Sequence, residues 1–233
     1  MLHILKLDSL GPEIAASGND YESVYARLVR GGGYDGPLAH YETRYADEYP
    51  DVGDGDAVLL GGSRLDAFAS DAFTLKLVAF VRDLLARPSI KLVGVCYGHQ
   101  IIARALGAPV ERAIWEVGVV PLELTPEGQK VFKELSQGDG LQQSHLDQVT
   151  SLPRGATLLA TTRDCPIQAF GWAQRALCVQ GHPEFSAELS HVCLDRIAEK
   201  DLAAAARGRL TVDDPQAGPK FGHAFARLIM NNL

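Results

Sequence analysis

The stretch Lys91-Leu-Val-Gly-Val-Cys96-Tyr-Gly-His-Gln100 is a short apolar run that ends on a cysteine flanked by glycines and passes at once into helical spacing. Such a string reads as a buried strand, a sharp turn and the start of a helix. Working outward, Ala57-Val-Leu-Leu60 is a second buried strand closed by Gly61-Gly62. Between the two, residues 72–87 carry Phe73, Leu77, Phe80, Val81, Leu84 and Leu85 at helical spacing, and Pro88 ends the run. Residues 57–107 therefore alternate strand, helix, strand, helix. That alternation predicts an α/β fold with a mostly parallel central sheet flanked by helices.

Upstream, Leu2 to Leu7 reads as a strand covered on both faces, and Asn19-Asp-Tyr-Glu22 has the pattern of a capping box. The helix it opens carries Val24, Leu28 and Val29 and stops at Gly31-Gly32-Gly33. Tyr41 to Tyr45 reads as a short strand. Downstream, strands are predicted over 117–124, 156–162, 167–172 and 176–180, which implies an additional smaller β element. A short helix follows Thr125-Pro126, where proline suits the first helical position. Helical spacing returns over 186–207 and 222–231, with 208–220 as a loop. No repeat or linker interrupts residues 1–233, so a single domain is expected.

With 22 Lys and Arg against 29 Asp and Glu, the net charge of −7 disfavours a broad nucleic-acid or anionic-membrane surface. No apolar run is long enough to span a bilayer, and the first residues lack a signal-peptide pattern. Cys96, Cys165, Cys178 and Cys193 read as free thiols in a reducing cytosol, so a cytoplasmic location is expected. A small-molecule partner fits this balance best.

A thiol at a strand-to-helix turn faces the positive end of a helix, which favours its thiolate. The alternative is a buried cysteine in a glycine-bounded turn. A thiolate nucleophile needs a base, and the base needs an orienting group. Gln180-Gly-His182-Pro-Glu184-Phe supplies both, because residues two apart in extended backbone share a face and Pro183 keeps the backbone extended.

Three motifs together resemble the class I glutamine amidotransferase family: Gly94-Val-Cys96-Tyr-Gly-His-Gln100 its nucleophile motif, Gly181-His182-Pro-Glu184-Phe its histidine–glutamate motif, and Leu60-Gly61-Gly62 its oxyanion loop. The resemblance covers about residues 40–190. It implies Cys96 as nucleophile, His182 as general acid/base, Glu184 as its orienting partner, and the N–H groups of Gly62 and Tyr97 as the oxyanion hole. It further implies that Gln100, Ser144, His145 and Asp147 grip the amino-acid end of a γ-glutamyl substrate; a plain polar turn is the alternative for the last three. The implied reaction is hydrolysis of a γ-glutamyl amide through a thioester, with no metal or other cofactor. Ser63-Arg64-Leu65-Asp66-Ala67 replaces the proline of many synthase-linked members and is similar to free-standing GMP-synthase-like members, among which γ-glutamyl peptidases occur. Glutamine or a γ-glutamyl peptide such as a glutathione conjugate is then the expected substrate.

Other readings stay open. A glutaminase subunit would pass ammonia to a separate synthetase partner, and a silent chain would use the fold only for binding. A cysteine α/β-hydrolase would place its acid before a distant histidine, unlike Glu184. A zinc site of Cys178, His182, His191 and Cys193 lacks common ligand spacing and would consume the base. Trp115 and Trp172 are expected in the core or a pocket wall, and His3, His40, His191 and His223 need no function.

Overall fold

The computed structural model describes residues 1–9, 11 and 20–231. The chain opens with β1 (Leu2–Leu5), α1 (Tyr21–Gly31), β2 (Leu38–Tyr41) and α2 (Thr43–Ala46). The alternating segment follows as β3 (Ala57–Leu60), α3 (Ala72–Ala86), β4 (Lys91–Val95) and α4 (Tyr97–Ala105). The second half comprises β5 (Val110–Pro121), β6 (Glu123–Leu124), α5 (Pro126–Val131), β7 (Gly140–Val149), β8 (Ala156–Thr161), β9 (Ala169–Trp172) and β10 (Ala176–Val179). Three helices close the chain: α6 (Ala187–Ala198), α7 (Leu202–Arg209) and α8 (Gly218–Ile229).

Among the described residues, one sheet has the order β2-β1-β3-β4-β10-β9-β8-β6, and β5 and β7 form a separate antiparallel ribbon. The strands from β2 to β10 run parallel, while β9, β8 and β6 complete the sheet antiparallel. The α/β architecture with a smaller β element is thus as the sequence predicts. Leu60 pairs with Gly94 and Val179 with Val95, so β3, β4 and β10 end at one level. That register sets Gly61-Gly62, Cys96 and Gln180 to Glu184 side by side at the carboxyl edge, where open α/β sheets place their ligands.

The sheet holds because its strands are apolar on both faces. Leu59, Val93, Val95, Leu177 and Val179 turn one way, into a cluster with Val24 and Leu28 of α1 and Phe221 and Phe225 of α8. Val58, Leu60, Leu92 and Cys178 turn the other way, against Leu77 and Val81 of α3 and Ile101 and Ile102 of α4. Alternation of period two with no polar face is what a doubly covered strand requires. Burying each such Leu or Val contributes roughly 1.5–3 kcal/mol.

Several boundaries differ from the sequence-based ones. The cap of α1 is Asp20, which accepts from Ser23 N–H at 2.9 Å, one residue later than the expected capping box; Asn19 lies outside the described residues. The expected strand at 41–45 ends at Tyr41, and Thr43–Ala46 is helical. The expected helix over 186–207 is two helices, because Asp201 caps a new one by accepting from Ala204 N–H at 2.8 Å. The expected loop over 208–220 is correspondingly shorter, with α8 starting at Gly218. No helix of the described residues is long and apolar enough to cross a membrane.

Candidate active site

Cys96 stands between β4 and α4 with φ 52° and ψ −105°, a conformation that costs a non-glycine residue energy and that the surrounding sheet must enforce. Its N–H donates to Val179 O at 2.9 Å, which ties the turn to β10. The two flanking glycines permit the turn: a Cβ on Gly98 would lie 2.1 Å from Leu60 O, and one on Gly94 would lie 2.9 Å from Gly98 backbone. The expected elbow is therefore present, with the thiol at the amino end of α4 and 6 % of the residue exposed.

His182 lies across from it. The imidazole stacks on Phe185 at 3.9 Å between ring centroids, its backbone N–H donates to Gln142 O at 2.8 Å, and its Nδ1 donates to Glu184 Oε1 at 2.8 Å. Burial alone would lower the imidazole pKa, but the charges of Cys96 and Glu184 and hydrogen bonds to both outweigh it and push it up to about 10. Cys96, His182 and Glu184 thus form one contiguous line.

The Glu184 carboxylate has a second donor that no motif announced. Tyr25 Oη of α1 donates to Glu184 Oε1 at 2.9 Å, and the same hydroxyl accepts from Gly62 N–H at 2.9 Å. Of the two amides expected to form an oxyanion hole, Tyr97 N–H opens α4 beside Cys96, whereas Gly62 N–H is engaged with Tyr25. Nothing in the sequence of α1 distinguishes Tyr25 from a core residue.

Cys96 and His182 line a cavity of about 500 Å³, within the ~300–1,000 Å³ range of small-molecule sites. Gln100, Ser144, His145 and Asp147 line it too, as does Trp115. Ser144, His145 and Asp147 belong to β7, not to a polar turn. Gln100 Nε2 donates to Asp147 O at 2.8 Å and to Gln180 Oε1 at 3.0 Å, fixing α4 to that strand. Arg112 Nε donates to Asp147 Oδ1 at 3.1 Å and its Nη2 to Asp66 Oδ1 at 2.5 Å. Burial raises the Asp147 carboxyl above its ordinary range against the opposing pull of Arg112. Trp172, by contrast, packs at the edge of the core under Arg175.

His145 has a carboxylate partner of its own, Glu116 of β5, whose Oε2 accepts from His145 Nε2 at 2.9 Å. Thr162 Oγ1 donates to Glu116 Oε1 at 2.5 Å, and Gln168 Nε2 also donates to Oε2. Glu116 and His145, with Cys165, form a set of candidate metal ligands whose ligand atoms lie within 4.8 Å of one another, all buried. Hydrogen bonds already occupy both Glu116 oxygens, and burial pushes the Cys165 thiol far up, so the set reads as a polar network. The residues Cys178, His182, His191 and Cys193 do not form such a set: Cys178 is sealed in the core and His191 pairs with Asp213 at the surface. All four cysteines are free, and burial raises the thiols of Cys165, Cys178 and Cys193, the last to about 12.

The family model of class I glutamine amidotransferases matches residues 53–195, more than half of the chain. A glutamine amidotransferase-like protein of Schizosaccharomyces pombe is 33 % identical over 204 residues, covering 80 % of this chain and 79 % of that protein. Gamma-glutamyl peptidase 3 of Arabidopsis thaliana is 29 % identical over 183 residues, covering 72 % and 73 %. Among solved structures, a glutamine amidotransferase from Thermotoga maritima superposes with a TM-score of 0.69 at 19 % identity, covering 98 % of this chain and 97 % of that one, which speaks to the fold.

Proposed function

We propose that this chain, which belongs to the class I glutamine amidotransferase family, hydrolyses a γ-glutamyl amide bond through a thioester on Cys96. The observation that carries the reading is the line Cys96, His182, Glu184 at the edge of the cavity, with His182 pushed up to about 10. A histidine so held stays protonated at neutral pH beside the sulfur, which favours a thiolate–imidazolium pair. The thiolate attacks the γ-carbonyl carbon, and the carbonyl electrons move to oxygen. Tyr97 N–H at the amino end of α4 stabilises that oxyanion, while Gly62 N–H stays on Tyr25 Oη and holds the loop beside it. Such a donor contributes on the order of 2.7–4 kcal/mol in the transition state.

Collapse of the tetrahedral intermediate expels the amine, which takes its proton from His182 Nε2, and leaves the γ-glutamyl thioester. Neutral His182 then removes a proton from water and becomes imidazolium again as the hydroxide attacks the thioester, and the second tetrahedral intermediate collapses by expelling the Cys96 thiolate, so that glutamate departs. Glu184 fixes Nδ1 as the donor throughout, so that Nε2 faces the chemistry. Gln100, Ser144, His145 and Asp147, which line the same cavity as the thiol, take the amino-acid end of the substrate. The similarity to a gamma-glutamyl peptidase supports a γ-glutamyl peptide as substrate.

The test is a panel of glutamine, glutathione, glutathione S-conjugates and other γ-glutamyl amides, with glutamate and the released amine both measured. Equimolar release that Cys96→Ala abolishes is expected. A folded chain that cleaves none of them contradicts the reading.

A further inference from the structure

We propose that Tyr25 is a positioning residue for this acyl transfer, its one hydroxyl fastening the Glu184 carboxylate to the backbone of the Gly61-Gly62 loop. The inference rests on the roles given above to Cys96, His182 and Glu184, and adds a residue that no motif contains.

Tyr25 is 1 % exposed and does not line the cavity beside Cys96, so it cannot touch substrate. Its hydroxyl spends its donor on Glu184 Oε1 at 2.9 Å and accepts from Gly62 N–H at 2.9 Å. Glu184 Oε1 is also the oxygen that holds His182 Nδ1 at 2.8 Å, while buried Oε2 has no partner among the described residues. Both donors thus fall on one oxygen. With His182 alone to hold it, the carboxylate would be free to turn about its terminal torsion, and the imidazole would lose its fixed reference.

The loop is fitted to the same ring. A Cβ on Gly61 would lie 2.6 Å from Tyr25 Cε2 and 2.9 Å from its Oη, so only glycine lets the backbone lie this close. Gly62 N–H is buried at this contact and without the hydroxyl would lack an acceptor. One hydroxyl from α1 therefore sets the spacing between two parts that the reaction needs in register: the acid behind the imidazole and the loop in front of the sulfur.

The test is Tyr25→Phe, which keeps the ring and its packing and deletes only the hydroxyl. With a substrate from the panel above, kcat is expected to fall at least about tenfold while KM stays within about twofold. In a Glu184→Gln background the same change should add less than about twofold, because its route is already cut. Iodoacetamide needs no substrate, and the rate of Cys96 alkylation, read by peptide mass mapping, should fall at least about fivefold. Unchanged kcat, a full additive loss in the Glu184→Gln background, or Tyr25-independent alkylation would overturn the proposal. A chain that cleaves no γ-glutamyl amide but whose Cys96 alkylation depends on Tyr25 would instead sink the substrate reading and keep the coupling. Circular dichroism checks the fold of the variant. In the unmutated chain, nuclear magnetic resonance should show a slowly exchanging Tyr25 hydroxyl proton with a cross peak to Gly62 N–H, and a freely exchanging one contradicts the bond.

Discussion

Two buried histidines line the same cavity, each backed by a carboxylate: His182 by Glu184 at 2.8 Å and His145 by Glu116 at 2.9 Å. By distance and burial they are nearly interchangeable. They differ in their third neighbour. His182 has Cys96 on its other side, so its second nitrogen meets a nucleophile. Glu116 is instead saturated by Thr162 and Gln168, and His145 Nδ1 has no hydrogen-bond partner among the described residues. A carboxylate behind an imidazole fixes its orientation in both cases; what the ring can do follows from what stands in front of it.

The sharpest way to break the comparison is to remove that neighbour. Cys96→Ala should lower γ-glutamyl hydrolysis ~10⁴-fold or more while leaving the melting temperature nearly unchanged, as measured by turnover and thermal unfolding. Next come the two rings. His182→Asn should cost a similar factor by suppressing both thioester formation and its hydrolysis, whereas His145→Asn should raise KM about tenfold with kcat largely kept. If the two substitutions lower kcat alike, the assignment of roles to the two walls fails.

The two acids sharpen the contrast. Glu184→Gln should lower kcat about 10²–10⁴-fold, since it permits the wrong imidazole tautomer. Glu116→Gln should act mainly on stability, by roughly 1–3 kcal/mol, because His145, Thr162 and Gln168 lose the charged acceptor they share. Steady-state kinetics and denaturant unfolding of both variants separate the effects.

The remaining expected effect is in pH. The His182 pKa is raised in the fold from 6.5 to about 10, so its stabilising contribution is complete below about 6.5 and disappears as pH climbs to about 10. The gap in melting temperature between the unmutated chain and His182→Asn should therefore narrow over that window. His99, sealed in the core and pushed down to about 3 by burial, works in the opposite sense: its contribution is complete above about 6.5 and is lost as pH falls toward 3.

The two walls also differ in how far the sequence exposes them. The elbow and its histidine are legible because each rests on local chemistry: glycine at 94 and 98 where side chains would collide, and proline between His182 and Glu184. The parallel sheet is legible because strands and helices alternate around Cys96. The wall of β5 and β7 is not, since Glu116 meets His145 only through strand pairing across 29 positions. Gln143 to Asp147 reads as readily as a turn because polar residues crowd a strand whose partners lie elsewhere. Tyr25 is hidden for the same reason, 159 positions from Glu184 in a helix whose apolar spacing accounts for it without a role. Asp201 shows the local counterpart: one cap residue divides a stretch that periodicity alone joins.

Labelling by a glutamine-analogue electrophile, read by peptide mass mapping of the intact chain, tests the central claim most directly. One adduct on Cys96, suppressed by excess γ-glutamyl substrate and absent after His182→Asn, is the result expected. Adducts spread over Cys96, Cys165, Cys178 and Cys193, or none on Cys96, would contradict it.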